Sequence, residues 1–101
     1  MASDPSRAIA AIQIDNPLVR VTEWRFAPGA ATGYHRHQTD YVVVPLTTGC
    51  LRLLAASGET TANLVAGQAY FRAAGAEHDV FNPNSFEFSF VEIEIKRPAA
   101  S

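Results

Sequence analysis

The sequence predicts an all-β fold that closes into one small barrel. Short apolar and β-branched segments recur along the chain, and turn residues separate them at short intervals. Near the carboxyl end, Phe86, Phe88 and Phe90 recur with the period of two that one face of a strand requires. A chain of about eight short strands has to protect its sheet edges, and closure into a barrel or jelly roll is the usual solution.

Six strands can be placed from this pattern, and turn signals such as Pro28-Gly29 close them. They are residues 18–26, 41–46, 50–55, 60–65, 69–72 and 86–95. The best candidate for a helix is a short segment over residues 6–12, which Asp15-Asn16-Pro17 would stop. We expect one domain over residues 8–97, with flexible tails at 1–7 and 98–101.

Composition and charge exclude several classes of partner. The 101 residues carry a formal net charge of −2, and the eight Lys and Arg residues are scattered singly, so no nucleic-acid footprint is visible. No apolar run approaches the roughly 20 residues that span a bilayer, and the amino terminus lacks the apolar core of a signal peptide. The single cysteine, Cys50, fits a reducing compartment and a buried thiol. We therefore expect a cytoplasmic protein that binds a small molecule, with no nucleic-acid or membrane partner.

The three histidines are unusually placed. His35 and His37 are separated by one residue, so on a strand both imidazoles point to the same face. His78 lies far along the chain, after the turn-like Ala74-Gly75-Ala76. Neutral imidazole suits several first-row metals, and catalytic zinc sites commonly combine three protein ligands with an open position. A bare His-x-His also occurs by chance, so spacing alone leaves both metal binding and an ordinary structural role open.

The stretches around the histidines resemble the two motifs of the cupin superfamily, with Ala73 in place of the proline of the second motif. The matching residues are Gly29, His35, His37 and Gly49 in the first motif, and Gly67, Gly75, His78 and Asn82 in the second. The segment HRHQTDYVVVPLTTG is similar to the small cupins of the beta-alanine degradation protein (BauB) family. The resemblance implies a single-domain jelly roll, or double-stranded β-helix. It also implies one divalent metal ion (Fe, Zn, Ni or Mn) bound by His35, His37 and His78.

The acidic ligand of the first cupin motif has no counterpart in this chain. Its two possible positions hold Tyr41 and Val42, and Asp40 is the only carboxylate nearby. Strand alternation points Tyr41 inward and Asp40 away, unless a bulge intervenes. We therefore expect a three-histidine site with Tyr41 as a substrate contact. Three candidates remain for the place of the missing acidic ligand: Tyr41, Asp40 and a glutamate of the last strand.

Other charged residues could complete a substrate site. Arg52 and Arg72 are candidates for binding a substrate carboxylate, provided that they point inward. Glu92 and Glu94 would share the inward face of the last strand if it ran straight. The apolar residues that alternate with them form a competing set, so we expect both glutamates in solvent. That competing set is Val91, Ile93 and Ile95.

Two main functions follow from such a site. The first is a metal-dependent enzyme, of oxygenase type, acting on a small carboxylate- or thiol-bearing metabolite, because a three-histidine site resembles that of the cupin thiol dioxygenases, which use non-haem iron. The alternative is a non-catalytic metal or metabolite sensor, or an accessory module. Isomerase or lyase chemistry is a third possibility, and it needs an inward Tyr or Glu as proton carrier. We also expect a homodimer, because small cupins that resemble this chain often pair and a small barrel gains stability by covering a sheet face.

Overall fold

The computed structural model describes residues 6–96. Over this range the chain forms nine strands and no helix, so the predicted all-β fold is confirmed. The strands are β1 (Ile9–Asp15), β2 (Val19–Phe26), β3 (His35–Arg36), β4 (Asp40–Pro45), β5 (Gly49–Ala55), β6 (Gly58–Leu64), β7 (Tyr70–Arg72), β8 (Glu77–Phe81) and β9 (Phe88–Ile95). They build two antiparallel sheets, in the orders β1-β2-β9-β4-β7 and β3-β8-β5-β6. The six predicted strands are all present.

The predicted helix over residues 6–12 is wrong, because β1 occupies Ile9–Asp15. β1 pairs antiparallel with β2 from Ile9, opposite Arg25, and its register shifts once after Ile12. All seven residues of β1 are exposed, so the strand lacks the half-buried alternation by which strands are recognised in a sequence. Its conformation depends on the backbone ladder with β2 rather than on burial of a side-chain face.

Besides β1, the sequence did not predict β3 and β8, and both of these strands carry histidines. β3 has two residues and β8 has five, and they pair with His35 directly opposite His78. Strands this short do not show a period in the sequence. Their pairing nevertheless joins the two segments that resemble the cupin motifs.

The hydrophobic core lies between the two sheets, with β9 in the middle of the larger one. Phe26 and Phe88 are fully buried, and the ring centroids of Phe26 and Phe90 are 5.5 Å apart. Leu51 and Val80 enter the core from the smaller sheet. The inward face of β9 therefore starts in this aromatic cluster and runs on toward Glu92, which is also buried.

Asn82, which is fully buried just after β8, joins several segments of the barrel. Its Nδ2 group donates to the carbonyl oxygens of Phe26 at 3.1 Å and Phe86 at 2.9 Å. Its Oδ1 atom accepts from the backbone N–H of Asn84 at 2.8 Å, and Asn84 Nδ2 in turn donates to the carbonyl of Cys50 at 2.7 Å. One amide thus satisfies backbone groups that have no sheet partner.

The outer ends of the chain lie mostly outside the described range, so the predicted domain bounds and tails stay predictions. Within the range, Ser6 accepts a backbone hydrogen bond from Ala31 at 2.8 Å, and Ala8 donates one to Ala31 at 2.9 Å. Between residues 6 and 96, no helix is long and apolar enough to cross a membrane.

Replacing Asn82 with Ala should destabilise the fold strongly. The change leaves buried carbonyl and N–H groups unsatisfied, and each such group costs about 1–3 kcal/mol, so a total loss of roughly 3 kcal/mol or more is expected. Urea unfolding would measure the loss. Asn63→Ala, which removes an exposed amide on β6, is the matched control and should change the free energy of unfolding by less than about 0.5 kcal/mol. Equal effects of the two substitutions would contradict this account of Asn82.

Candidate metal centre

The three histidines of the chain meet at one point inside the barrel. The Nε2 atom of His37 lies 3.0 Å from that of His35 and 3.1 Å from that of His78. The rings meet edge to face, at 76° for His35 with His37 and 77° for His37 with His78. His37 and His78 are buried and His35 is half-buried. The structure therefore brings together all three residues that the sequence predicts as ligands.

The spacing of these nitrogen atoms fits a shared metal ion. Two nitrogens that each lie about 2.1 Å from one ion, at right angles to each other, are about 3.0 Å apart. The observed distances of 3.0 and 3.1 Å match that spacing. Without a shared ion or proton, lone pairs of neutral imidazoles at this distance would repel one another. The donor set therefore suits a divalent ion with several positions left for other ligands.

A turn just before β3 orients His35. The His35 Nδ1 atom lies 2.8 Å from the carbonyl oxygen of Gly33. A carbonyl can only accept, so Nδ1 carries the proton, and Nε2 keeps a lone pair that points into the site. Gly33 has a φ of 88°, which favours glycine, and its N–H donates to Asp79 Oδ1 at 3.0 Å. Asp79, next to His78 on β8, thus helps to position His35.

A second turn, over residues 73–76, positions His37. The His37 N–H donates to the carbonyl of Ala76, and the His37 carbonyl accepts from the N–H of Gly75, both at 2.8 Å. Asp40 Oδ1 accepts from the backbone N–H of Ala74 at 2.9 Å. Asp40 therefore holds the turn that precedes His78 and does not line the pocket. It does not supply the missing acidic ligand.

Burial keeps two of the histidines in the form that binds metals. It lowers the pKa of His37 and of His78 to about 4, and the neighbouring His35 imidazole adds to the effect on both. His37 and His78 are therefore neutral at pH 7. A metal ion would not have to displace a proton from either one.

Tyr41 lies inward, as strand alternation from the histidines predicts. It is 2% exposed and stacks on His37, with ring centroids 4.0 Å apart and an interplanar angle of 21°. Arg72 lies directly opposite on β7 and hydrogen-bonds the Tyr41 side chain. Burial raises the pKa of the Tyr41 hydroxyl to about 12, although Arg72 acts in the opposite direction. Tyr41 is therefore a neutral hydrogen-bond donor at pH 7.

The histidines open into a pocket with a volume of about 500 Å³, which lies within the usual range of small-molecule sites. Arg72 lines this pocket. Arg52, the other arginine predicted to bind a carboxylate, lies outside it. The Arg52 side chain is exposed on β5 and forms an ion pair with Glu59 at 3.6 Å. Trp24 and Tyr70 add aromatic surface to the pocket wall.

The expectation that Glu92 and Glu94 lie in solvent is wrong. Both line the pocket, and Glu92 is only 7% exposed. β9 pairs with β2 and β4 without any shift of register, so the inward face that begins at Phe88 continues through Glu92. Val91 and its apolar neighbours on β9 occupy the other face of the sheet instead. The unbroken alternation after Phe88 was the signal in the sequence that could have located Glu92.

Comparison with solved structures assigns the fold. A cupin domain from Bordetella pertussis Tohama I superimposes with a TM-score of 0.91 at 54% sequence identity, covering 95% of this chain and 100% of that one. A Klebsiella pneumoniae protein with a double-stranded β-helix domain superimposes with a TM-score of 0.76 at 18% identity, covering 98% of this chain and 85% of that one. The second likeness supports the fold alone. The two-sheet barrel with its inward histidines is thus a cupin, as the motifs predicted.

Sequence comparison narrows the class to a family. No family model matches the chain. The beta-alanine degradation protein BauB of Pseudomonas aeruginosa PAO1 is 61% identical over 90 residues, which cover 89% of this chain and 95% of that protein. The chain therefore belongs to the BauB family of small cupins. The name BauB refers to a degradative process and specifies no reaction.

Zinc should stabilise the metal-free protein, because an ion that binds only the folded state adds its binding free energy to folding. At a free zinc concentration of about 100 times the Kd, the gain is about 2.7 kcal/mol. His78→Ala should abolish the gain, whereas Glu77→Gln, an exposed change next to it on β8, should keep it. Chemical unfolding with and without zinc measures both. An equal gain in the two variants would place the zinc elsewhere.

Proposed function

We propose that this cupin binds one divalent metal ion through His35, His37 and His78 and uses it, as an enzyme, on a small carboxylate- or thiol-bearing metabolite. The observation that carries the proposal is the convergence of three imidazole nitrogens in one pocket. A divalent ion held by three uncharged ligands keeps its full charge, so it would attract anionic substrates and supply Lewis-acid or oxygen chemistry.

The protein's own residues would bind and orient the substrate beside the ion. The Arg72 guanidinium is planar and suits two hydrogen bonds to a carboxylate. The Tyr41 hydroxyl, which is protonated at pH 7, would donate a further hydrogen bond. Trp24 and Tyr70 would exclude water from the apolar part of the substrate. The name of the P. aeruginosa relative agrees with a small acid, since β-alanine is one.

A non-catalytic sensor is the alternative, and the pocket gives it less support. A sensor needs recognition but no group that can transfer a proton. Here Tyr41 is buried against His37 and Glu92 is buried in the wall of the same pocket, at the cost of desolvating both. Isomerase or lyase chemistry, which needs such a proton carrier, is compatible with the same pocket.

Metal analysis and oxygen uptake test the proposed function. Protein purified without air should carry up to about one metal ion per chain. The iron-loaded form should consume O₂ with at least one member of a panel of small carboxylic and thiol acids, and His78→Ala should bind no iron and consume no O₂ above background. A panel member that binds and stabilises the iron form without being converted would favour the sensor. No uptake of Fe, Zn or Ni would overturn the proposal.

Arg72→Gln should weaken the binding of carboxylates without removing the metal. A charge-assisted hydrogen bond contributes about 1.5–3 kcal/mol, so the Kd for a bound carboxylate should rise by roughly 10- to 100-fold. Arg52→Gln, which removes an arginine outside the pocket, is the matched control and should leave the Kd unchanged. Calorimetric titration of zinc-loaded protein with propanoate measures both. Equal Kd values for Arg72→Gln and the wild type would contradict the assigned role.

The homodimer and the cytoplasmic location also stay proposals. An apolar row on the outer face of the larger sheet supports pairing with a second copy. Val21, Ile93, Val42 and Phe71 lie directly opposite one another across four strands, and Phe71 is 57% exposed. Burial of such a row would add to the stability of a small barrel, and light scattering would measure the mass in solution.

A further inference from the structure

Glu92 is a buried ionisable group in the pocket that the proposed metal site does not use. It lies on β9, directly opposite Thr22 of β2 and Val43 of β4, in the middle of the larger sheet. Ladders on both sides fix its backbone, and 7% of the residue is exposed. Its exposed fraction faces the same pocket as the histidines. A carboxyl placed this rigidly is well suited to meet a bound substrate.

The groups around Glu92 provide no cation to balance a negative charge. Glu94 lies two residues further along the same face of β9 and also lines the pocket. Trp24 of β2 lines it too, and its buried indole N–H has no hydrogen-bond partner among residues 6–96. In the described part of the chain, four cationic side chains line the pocket, and none of them acts on Glu92. Arg20 and Lys96 pair with Asp15, and Arg72 hydrogen-bonds Tyr41. Arg36 is exposed on β3, in the other sheet. The other ionisable groups near Glu92 are Tyr41 on β4 and Tyr70 on β7. None of the ion pairs found between residues 6 and 96 includes Glu92.

A buried carboxylate without a cationic partner binds a proton more readily than usual. Burial raises the pKa of Glu92 to about 7, and the nearby Glu94 carboxyl raises it further in the same direction. Near neutral pH the group therefore exists in both forms. A proton acceptor or donor works best when its pKa lies close to the working pH.

We propose that Glu92 is a catalytic residue that accepts the proton of the substrate's metal-binding group as the substrate enters the pocket. The inference rests on the proposed function. For a thiol, the S–H bond breaks, its electron pair stays on sulfur as a thiolate, and the proton moves to a carboxylate oxygen of Glu92. The negative charge moves from Glu92 to the substrate, so the net charge of the pocket does not change. A carboxylate alone needs no such step.

The other ionisable groups of the pocket are less suited to this role. His35, His37 and His78 would be occupied by the ion. Tyr41, with a pKa of about 12, is not a base at neutral pH. Glu94 is half-buried and acts on Glu92 by raising its affinity for a proton, which makes Glu94 a positioning residue.

The first test uses metal-free protein and needs no activity. Carbonyl NMR of glutamate-labelled protein should show one carboxyl that titrates near pH 7 in the wild type. The signal should be absent in Glu92→Gln, shifted to a lower pKa in Glu94→Gln, and unchanged in Glu87→Gln, an exposed control. A wild type in which no carboxyl titrates above its ordinary range would overturn the inference.

The second test counts protons on zinc-loaded protein, with 3-sulfanylpropanoate as the probe and propanoate as the control that lacks the thiol. Calorimetry at pH about 7, in buffers of different ionisation enthalpy, should show about one proton released for Glu92→Gln. The wild type should release only about half a proton, because about half of its Glu92 side chains are free to accept one and the bound thiolate raises their affinity for it. Propanoate should release none in either. Zinc affinity itself should be the same in both, because Glu92 is not a ligand.

The outcomes distinguish the proposed metal-dependent function from the proposed role of Glu92. A wild type that binds no zinc would overturn the proposed function and this inference with it. If the wild type binds zinc and either fails to bind the thiol or releases as many protons as Glu92→Gln, the inference alone is overturned and the metal site stands. About half a proton released by the wild type, against about one by Glu92→Gln, supports it.

Discussion

The antiparallel pairing of β3 with β8 is the contact on which the candidate site depends. It involves only two residue pairs, and one of them is His35 opposite His78. Separate turns on either side set the remaining geometry: Gly33 orients the imidazole of His35, and Ala76 fixes the backbone of His37. A ladder this short contributes little stability, so the surrounding sheets and the buried Asn82 must hold it in register. The geometry of the candidate metal site thus depends on the whole barrel.

The central strand β9 contributes to both the hydrophobic core and the pocket. Its first inward residues, Phe88 and Phe90, belong to the hydrophobic core, whereas Glu92 faces the pocket. One uninterrupted strand therefore connects the aromatic part of the core with Glu92, a carboxyl whose burial costs free energy. The aromatic end provides the burial that allows a carboxyl to be desolvated at the other end. The stability gained from the aromatic core offsets the cost of burying Glu92 and Tyr41, whose pKa values are raised by that burial.

Local patterns in the sequence predicted most of the fold and the three histidines. The six predicted strands had period-two or β-branched patterns and clear turns, and the spacing of the glycines and histidines indicated the cupin class. β1 was missed because neither of its faces is buried, and β3 because two residues carry no period. Glu92 was misplaced because the alternating apolar residues Val91, Ile93 and Ile95 also fit the inward face of this part of the strand. The burial of Glu92 depends on neighbouring strands that are distant in the sequence.

The exposed strand β1 has a consequence for the dynamics of the molecule. Since none of its seven side chains is buried, detaching it from β2 would uncover backbone groups and only part of the surface of its isoleucines. Such opening costs far less than global unfolding, so amide hydrogens of β1 should exchange with solvent well before those of β9. The pocket would keep its shape meanwhile, because no residue of β1 lines it. Asp15 of β1 nevertheless pairs with Arg20 and Lys96, which line the pocket, so opening of this edge would free two cationic side chains there.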